Sequence, residues 1–106
     1  MQLQSPAYIY CRGAVRPASE AVLHVSSEAL VRGVNVFEGL KGYWRADGGF
    51  GIVALAHHFA RLQRSARLLH LPFTMDFAAY ETACRALLEA LLEPGRDMWL
   101  RTTVCL

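Results

Sequence analysis

The sequence has only one lysine, Lys41, among its eleven lysine and arginine residues. An enzyme that binds a carbonyl compound covalently through a lysine would have to use this residue or an amine from outside the chain. The sequence also lacks a long hydrophobic run, since no stretch reaches the roughly 18 apolar residues of a membrane span. The N-terminus lacks the basic flank and apolar segment of a secretory signal, so a cytoplasmic location is expected.

Cysteines are few and widely spaced, and the charge is nearly balanced. Cys11, Cys84 and Cys105 form no C-x-x-C pair, which favours reduced thiols over a disulfide framework or a zinc site. The four histidines lack the spacing of metal ligands, so no metal site is predicted. A net charge of +2 is too small to indicate a nucleic-acid partner, and no membrane partner is expected.

The length of 106 residues allows at most one domain, and a hydrophobic content of 54% is typical of a folded chain. Residues with high β propensity predict strands over 7–12, 21–25 and 37–44. The turn-like residues 46–49 join the last of these to FGIVAL, which predicts a β-hairpin. Between the second and third strands, Ser26 or Ser27 is expected to cap a short helical turn that ends at Gly33.

Two helices are predicted after the hairpin. In LAHHFARLQRSARLL, apolar residues recur at steps of four and three, which indicates one buried helix face: Leu55, Phe59, Leu62, Ala66 and Leu69. Thr74 or Asp76 can cap a second helix, which Pro94 and Gly95 end.

The last predicted strand, DMWLRTTVCL, places Trp99, Arg101 and Thr103 on one face, because successive side chains of a strand point to opposite sides. Strands grouped ahead of helices predict an α+β domain, a small domain in which two helices pack on a mainly antiparallel sheet. Because the sequence stops at Leu106 within a predicted strand, we interpret the chain as a truncated part of a larger protein.

The polar side of the first predicted helix carries candidates for an anion site. His57, Arg61 and Arg64 lie opposite the apolar stripe, and a guanidinium offers a planar set of donors that matches phosphate or carboxylate. The spacing does not distinguish Arg61 from Arg64. No serine lies in a G-x-S-x-G turn, and no residue is assigned a catalytic role.

Three motifs, in order and at the right spacing, resemble the N-terminal domain of fold-type IV pyridoxal-phosphate enzymes: LHVSSEALVRGVNVFEGLKGY, HHFARLQRSARLLHLP and MWLR. The FEGLK form is most similar to the branched-chain aminotransferases. The resemblance implies a homodimeric transaminase that uses pyridoxal 5′-phosphate. It would move an amino group between an amino acid, with branched-chain ones favoured, and a 2-oxo acid such as 2-oxoglutarate.

The resemblance also implies roles for individual residues. Arg61, in the pattern R-L-x-x-S-A, corresponds to the arginine that binds the cofactor phosphate. Phe37, Trp99 and Arg101 correspond to residues near the substrate, and Arg101 would suit the distal carboxylate of glutamate or 2-oxoglutarate. The chain departs from the family pattern at four positions. Arg32 and Trp99 stand where tyrosine is common, His57 where glutamate is common, and Thr102 where proline is common.

Family members hold the cofactor through a lysine of a second, C-terminal domain, whereas Lys41 falls at a family Arg/Lys position. We therefore expect Lys41 not to be the catalytic lysine, the lysine-bearing domain to be absent from these residues, and the chain alone to be inactive. Two alternatives remain open: a non-enzymatic module for dimerisation or partner binding, and one half of a split aminotransferase whose lysine comes from a separate polypeptide.

Overall fold

The structure, a computed structural model, describes residues 5–106. Two antiparallel sheets and three α-helices follow one another along the chain. Their bounds are β1 Tyr8–Cys11, β2 Ala14–Pro17, α1 Glu28–Val31, β3 Asn35–Trp44, β4 Phe50–Ile52, α2 Leu55–Leu68, α3 Phe77–Leu91 and β5 Met98–Cys105. β1 pairs with β2, and the second sheet has the order β4-β3-β5. The predicted α+β architecture is confirmed.

Strand β3 is the centre of the larger sheet. It pairs antiparallel with β5 from Asn35↔Cys105 to Gly42↔Met98, and with β4 only through its last three residues. Side chains of β3 alternate between a buried and an exposed face. The predicted alternation of β5 is confirmed as well, because Leu100 is buried while Trp99 and Arg101 are exposed.

Helices α2 and α3 cover one face of this sheet and close the core. The core contains Leu40 from β3, Leu62 from α2 and Leu100 from β5. Phe59 of α2 also packs against Tyr80 of α3, with ring centroids 5.0 Å apart, which joins the two helices. Burying such side chains stabilises the fold by about 1.5–3 kcal/mol each.

The two predicted helices are confirmed, but the prediction of Leu69 on the buried face is wrong, because α2 ends at Leu68 and Leu69 is exposed. The structure selects Asp76 over Thr74 as the cap of α3. The Asp76 carboxylate accepts a hydrogen bond from the backbone N–H of Ala79 at 2.8 Å. This contact satisfies one of the free N–H groups at the helix start. For α1, Ser27 occupies the N-cap position, although its hydroxyl makes no capping hydrogen bond.

The prediction of a strand over 21–25 is wrong. β1 turns back at Arg12 and Gly13, whose φ angles are +51° and +81°, and pairs immediately with β2. A two-residue turn of type I′ has positive φ at both central residues, as here, and arginine gives no signal of that conformation. The turn therefore uses 14–17 as the partner strand, and a short 3-10 helix follows at Ala18–Glu20. Residues 21–24 have no regular structure.

A hydrogen bond between Tyr80 of α3 and Thr102 of β5 ties the second helix to the sheet. The two hydroxyl oxygens are 2.9 Å apart. Burial raises the pKa of Tyr80 to about 12, and the hydrogen bond from Thr102 opposes part of that shift. The tyrosine is therefore kept neutral in the folded protein over a pH range in which an exposed tyrosine ionises.

This raised pKa gives a testable dependence of stability on pH. In the unfolded chain Tyr80 ionises near its ordinary pKa of 10, whereas in the folded chain it ionises near 12. The contribution of neutral Tyr80 to stability is complete below pH 10 and is lost as the pH rises from 10 to 12, because only the unfolded state then gains from ionisation. Tyr80→Phe should remove this part of the loss.

The measurement is urea unfolding of wild type, Tyr80→Phe and the exposed-site control Tyr43→Phe at pH about 9 and about 11.5. We expect the free energy of unfolding of wild type to fall relative to that of Tyr80→Phe between pH about 9 and about 11.5. The difference between wild type and Tyr43→Phe should stay nearly constant. Equal changes for both variants would contradict the role of burial at Tyr80.

Candidate functional site

The candidate site is built around the two faces of strand β3. Phe37, Lys41 and Tyr43 point to the face that no helix covers, while Glu38 and Leu40 point toward α2 and α3. Successive strand residues alternate in this way by geometry. A charged residue in phase with core residues is the unusual feature, since an unpaired buried charge is strongly unfavourable.

Glu38 is only 6% exposed, and α2 supplies both of its partners. The Nδ1 atom of His58 lies 3.1 Å from Glu38 Oε1, and Nε of Arg61 lies 3.1 Å from the same oxygen. His58 and Arg61 are one turn apart on α2, so both reach the same point of the strand. Because a carboxylate only accepts, the Nδ1–H of His58 is the donor in their hydrogen bond.

Nε of Arg61 forms the ion pair with Glu38, and the Arg61 side chain is 62% exposed. Within residues 5–106 its two terminal amino groups have no hydrogen-bond or ion-pair partner. Arg61 can therefore offer two N–H donors to an anion while Glu38 holds the other side of the guanidinium. Arg64, the alternative on the same helix, is exposed.

The uncovered face of the sheet carries two pairs of a cation and an aromatic ring. The guanidinium carbon of Arg101 lies 4.8 Å from the centre of the Phe37 ring, and Nζ of Lys41 lies 5.1 Å from the Trp99 ring. Between the pairs is Gly39, where a Cβ atom would meet no atom within 4 Å. Two aromatic surfaces and two cations thus border an open space on the sheet.

The predicted residues accordingly form two groups. Phe37, Trp99 and Arg101 share the uncovered face, whereas Arg61 lies on the helix side of β3. The two groups meet at one level of the strand, because Phe37 and Glu38 are consecutive. In the described part of the chain β4 pairs only with 42–44, so the β3 edge beside Glu38 carries no strand. A ligand that contacts both groups would pass this edge.

Lys41 is separated from Arg61 by the sheet. Its side chain lies over Trp99 on the uncovered face, opposite the face of Glu38. Arg32, one of the departures from the family pattern, is exposed and pairs with Glu28 at 3.3 Å. Thr102, another departure, bonds Tyr80 on the core side and does not face the open sheet.

An apolar cleft of about 580 Å³ lies along β5. Its walls come from the β1–β2 hairpin and α3, through residues such as Tyr8, Leu87 and Leu91. Trp99 and Arg101 border this cleft as well as the uncovered face, so β5 separates two open surfaces. Burial raises the pKa of the Cys84 thiol in the cleft wall, which keeps this cysteine in its neutral, unreactive form.

Sequence reasoning missed Glu38 and His58. The signal for Glu38 was present, since the alternation of FEGLKG puts it in phase with Leu40 on the core face. His58 could then have been predicted as a partner of Glu38, because a buried carboxylate needs hydrogen-bond donors and α2 is the element packed against it. Among residues 5–106 no group of three or more histidine, cysteine, aspartate or glutamate side chains could hold a metal ion. None of the described helices is long and apolar enough to cross a membrane.

No known protein-family model matches the chain. A curated relative, the branched-chain-amino-acid aminotransferase of Salmonella typhimurium, is 33% identical over 87 residues, which are 80% of this chain and 27% of the relative. The branched-chain aminotransferase of Thermobaculum terrenum, solved in its PLP form, is 28% identical with a TM-score of 0.78. The match covers 92% of this chain and 32% of the Thermobaculum terrenum chain.

The T.th. branched-chain aminotransferase, solved with N-(5′-phosphopyridoxyl)-L-glutamate, is 29% identical with a TM-score of 0.84. The match covers 96% of this chain and 33% of that one. The chain therefore spans about a third of the length of these relatives. Sequence and fold agree, and both confirm the resemblance: the homologues and structural neighbours of this chain are branched-chain amino acid aminotransferases, and the chain matches the fold of their N-terminal domains.

Proposed function

We propose that residues 1–106 form the small N-terminal domain of a pyridoxal-phosphate-dependent transaminase. The complete enzyme moves an amino group between an amino acid, with branched-chain ones favoured, and a 2-oxo acid such as 2-oxoglutarate. The observation that carries the proposal is Arg61, whose Nε forms an ion pair with Glu38 while its terminal amino groups have no partner among residues 5–106. The relatives that match the chain are branched-chain aminotransferases, and one was solved in its PLP form.

Arg61 fits the phosphate of this cofactor, because one N–H from each terminal amino group of its planar guanidinium matches one of two phosphate oxygens. The bound cofactor would supply the electron-withdrawing ring that carries the amino group. The protein residues contribute binding and orientation. Arg61 would bind the phosphate, and Phe37, Trp99 and Arg101 would contact the substrate.

The uncovered face supplies the proposed substrate contacts. Phe37 and Trp99 are 55% and 78% exposed and offer apolar surface to an aliphatic side chain. Arg101, above the Phe37 ring, is placed to bind a carboxylate. The T.th. relative was solved with a glutamate conjugate of the cofactor, which supports glutamate and 2-oxoglutarate as the acidic pair.

The proposal assigns no catalytic residue to this chain. The resemblance implies that a lysine close to the cofactor transfers the proton at the substrate, and Lys41 lies over Trp99 on the face opposite Glu38. In our proposal the lysine comes from a further, C-terminal domain, so the 106 residues alone do not transaminate. A cytoplasmic location belongs to the same proposal, since a reducing compartment suits the free thiols of Cys11, Cys84 and Cys105.

The position of Lys41 predicts the outcome of a cofactor trap. The chain is incubated with pyridoxal 5′-phosphate, reduced with borohydride and analysed by peptide mapping, with Lys41→Arg as the control. We expect no stoichiometric adduct on Lys41, because its cation–aromatic contact lies away from Arg61. A specific, stoichiometric adduct on Lys41 would show that the chain contains its own cofactor lysine and would overturn this part of the proposal.

The activity itself can be tested in a chimera. Residues 5–106 replace the matching region of the Salmonella typhimurium branched-chain aminotransferase, and amino transfer to 2-oxoglutarate is assayed. We expect activity that saturates with added cofactor. Arg61→Ala should weaken cofactor binding about 10–100-fold, since a charged hydrogen bond contributes about 1.5–3 kcal/mol.

Arg64→Ala is the matched control, because Arg64 is an exposed arginine on the same helix that does not contact Glu38. Its cofactor affinity should equal that of the unmodified chimera. A chimera that binds the cofactor but transfers no amino group would contradict the transaminase proposal. Equal losses for Arg61→Ala and Arg64→Ala would contradict the phosphate role of Arg61.

We further propose that the complete protein is a homodimer. A patch between β2 and β3, which we name the 21–31 patch, exposes five large apolar side chains: Val22, Leu23, Val25, Leu30 and Val31. Its end is fixed to the sheet, because the backbone N–H of Ala29 donates to the carbonyl of Leu106 at 3.0 Å. Clustered exposed apolar side chains are typical of a surface that another protein covers.

The dimer predicts a specific effect of charge in this patch. Sedimentation equilibrium of the chain should show a dimer, and Val25→Asp should shift it toward monomer because the new carboxylate would be buried at the interface. Val53→Asp changes an exposed valine elsewhere and serves as the control. A monomeric wild type, or equal effects of the two variants, would contradict an interface at the 21–31 patch.

A further inference from the structure

Glu38 is a buried charged residue that forms an ion pair with Arg61. Its side chain is 7% exposed, and the side chain of His58 is 22% exposed. Both His58 and Arg61 approach one oxygen of Glu38, each at 3.1 Å. The cluster joins β3 to α2 at the level of the uncovered Phe37.

The ion pair between Nε of Arg61 and Glu38 limits the orientations of the guanidinium. An exposed arginine samples many rotamers, and a ligand that binds it must select one of them. The contact between Nε and Glu38 restricts this choice before a ligand arrives, and the buried carboxylate cannot follow an outward movement of Arg61. Binding through Nε also leaves both terminal amino groups for the ligand. Such preorganisation increases affinity because less freedom is lost on binding.

His58 restrains the carboxylate in turn. It donates its Nδ1–H to the oxygen that Arg61 also contacts, so Glu38 is held from α2 by two side chains one turn apart. The three residues form a chain of support in which His58 orients Glu38 and Glu38 orients Arg61.

We propose that Glu38, supported by His58, is a positioning residue that holds Arg61 in the orientation that binds a phosphate group. This inference rests on the proposed function, because it assumes that Arg61 receives the phosphate. It has an electrostatic signature. Coulomb attraction alone predicts that removing the negative charge of Glu38 strengthens anion binding at Arg61. Positioning predicts the opposite, namely that Glu38→Gln weakens it.

The experiment uses the full chain and inorganic phosphate as the probe. Arginine Nε–H signals are followed by NMR during a phosphate titration, and the Arg61 signal is assigned with Arg61→Lys. Loss of a supporting partner lowers affinity about 10–100-fold in metal sites, and we expect the lower end, about tenfold, for Glu38→Gln. Glu28→Gln is the matched control, since Glu28 also contacts an arginine Nε, that of Arg32, but at an exposed site.

The free protein provides a second readout that needs no variant of Glu38. In wild type the Nε–H signal of Arg61 should be distinct and slow to exchange with solvent, while that of exposed Arg64 should be averaged. His58→Ala should move the Arg61 signal toward that average. These readouts remain informative even where Glu38→Gln does not fold.

The outcomes separate the two proposals. Phosphate binding at Arg61 that is unchanged or tighter in Glu38→Gln overturns positioning and leaves the phosphate role of Arg61 intact. An averaged Arg61 signal in wild type also overturns positioning. A distinct Arg61 signal that phosphate does not shift overturns the phosphate role in the proposed function, although Glu38 then still fixes Arg61.

Discussion

The register between β3 and β5 determines which side chains of the two strands share the uncovered face and which enter the core. The eight residue pairs from Asn35↔Cys105 to Gly42↔Met98 decide which side chains enter the core and which face outward. A shift of one residue would exchange the faces, burying Phe37 and Lys41 and exposing Leu40. The helices can pack on only one of these arrangements, so the burial of Leu40 and Leu100 holds the site residues in place.

That constraint also explains why a carboxylate is buried. Glu38 lies two residues from Leu40 and therefore points to the same side of the strand. Taking a charge out of water is unfavourable, and an ion pair rarely recovers the full penalty. Since Arg61 is mostly exposed, its pairing with Glu38 is a weak source of stability. The arrangement is better understood as a constraint on Arg61 than as a contribution to folding.

Much of the fold follows from local patterns, and the exceptions have physical causes. The apolar steps of α2, the Asp76 cap and the alternation of β5 are all properties of a few neighbouring residues. The β1–β2 hairpin was missed because its turn depends on a positive φ at Arg12, which the residue type does not indicate. The valines at 22 and 25 have high β propensity, but they pair with no strand among residues 5–106, and propensity alone does not form a sheet.

The site residues were predictable to different degrees. Periodicity placed Arg61 and Arg64 on the polar side of one helix but could not choose between them, because the choice depends on which arginine reaches Glu38 where α2 packs on the sheet. That Trp99 and Arg101 lie on the same face of β5 was predictable, because it depends only on the alternation of side chains along a strand. Their pairing with Lys41 and Phe37 was not, since it requires the register with a strand more than fifty residues earlier.

The uncovered face shows how such a domain would respond to a partner surface. A cation–aromatic contact contributes about 0.5–1 kcal/mol at an exposed site and about 2 kcal/mol when water is excluded. Arg101 on Phe37 and Lys41 on Trp99 are both exposed in this domain. In the complete enzyme that we propose, covering this face would strengthen both contacts at once. The positions of the substrate-contacting side chains would then depend on assembly of the complete enzyme. The partner surface that completes the site would also exclude water from the two cation–aromatic contacts.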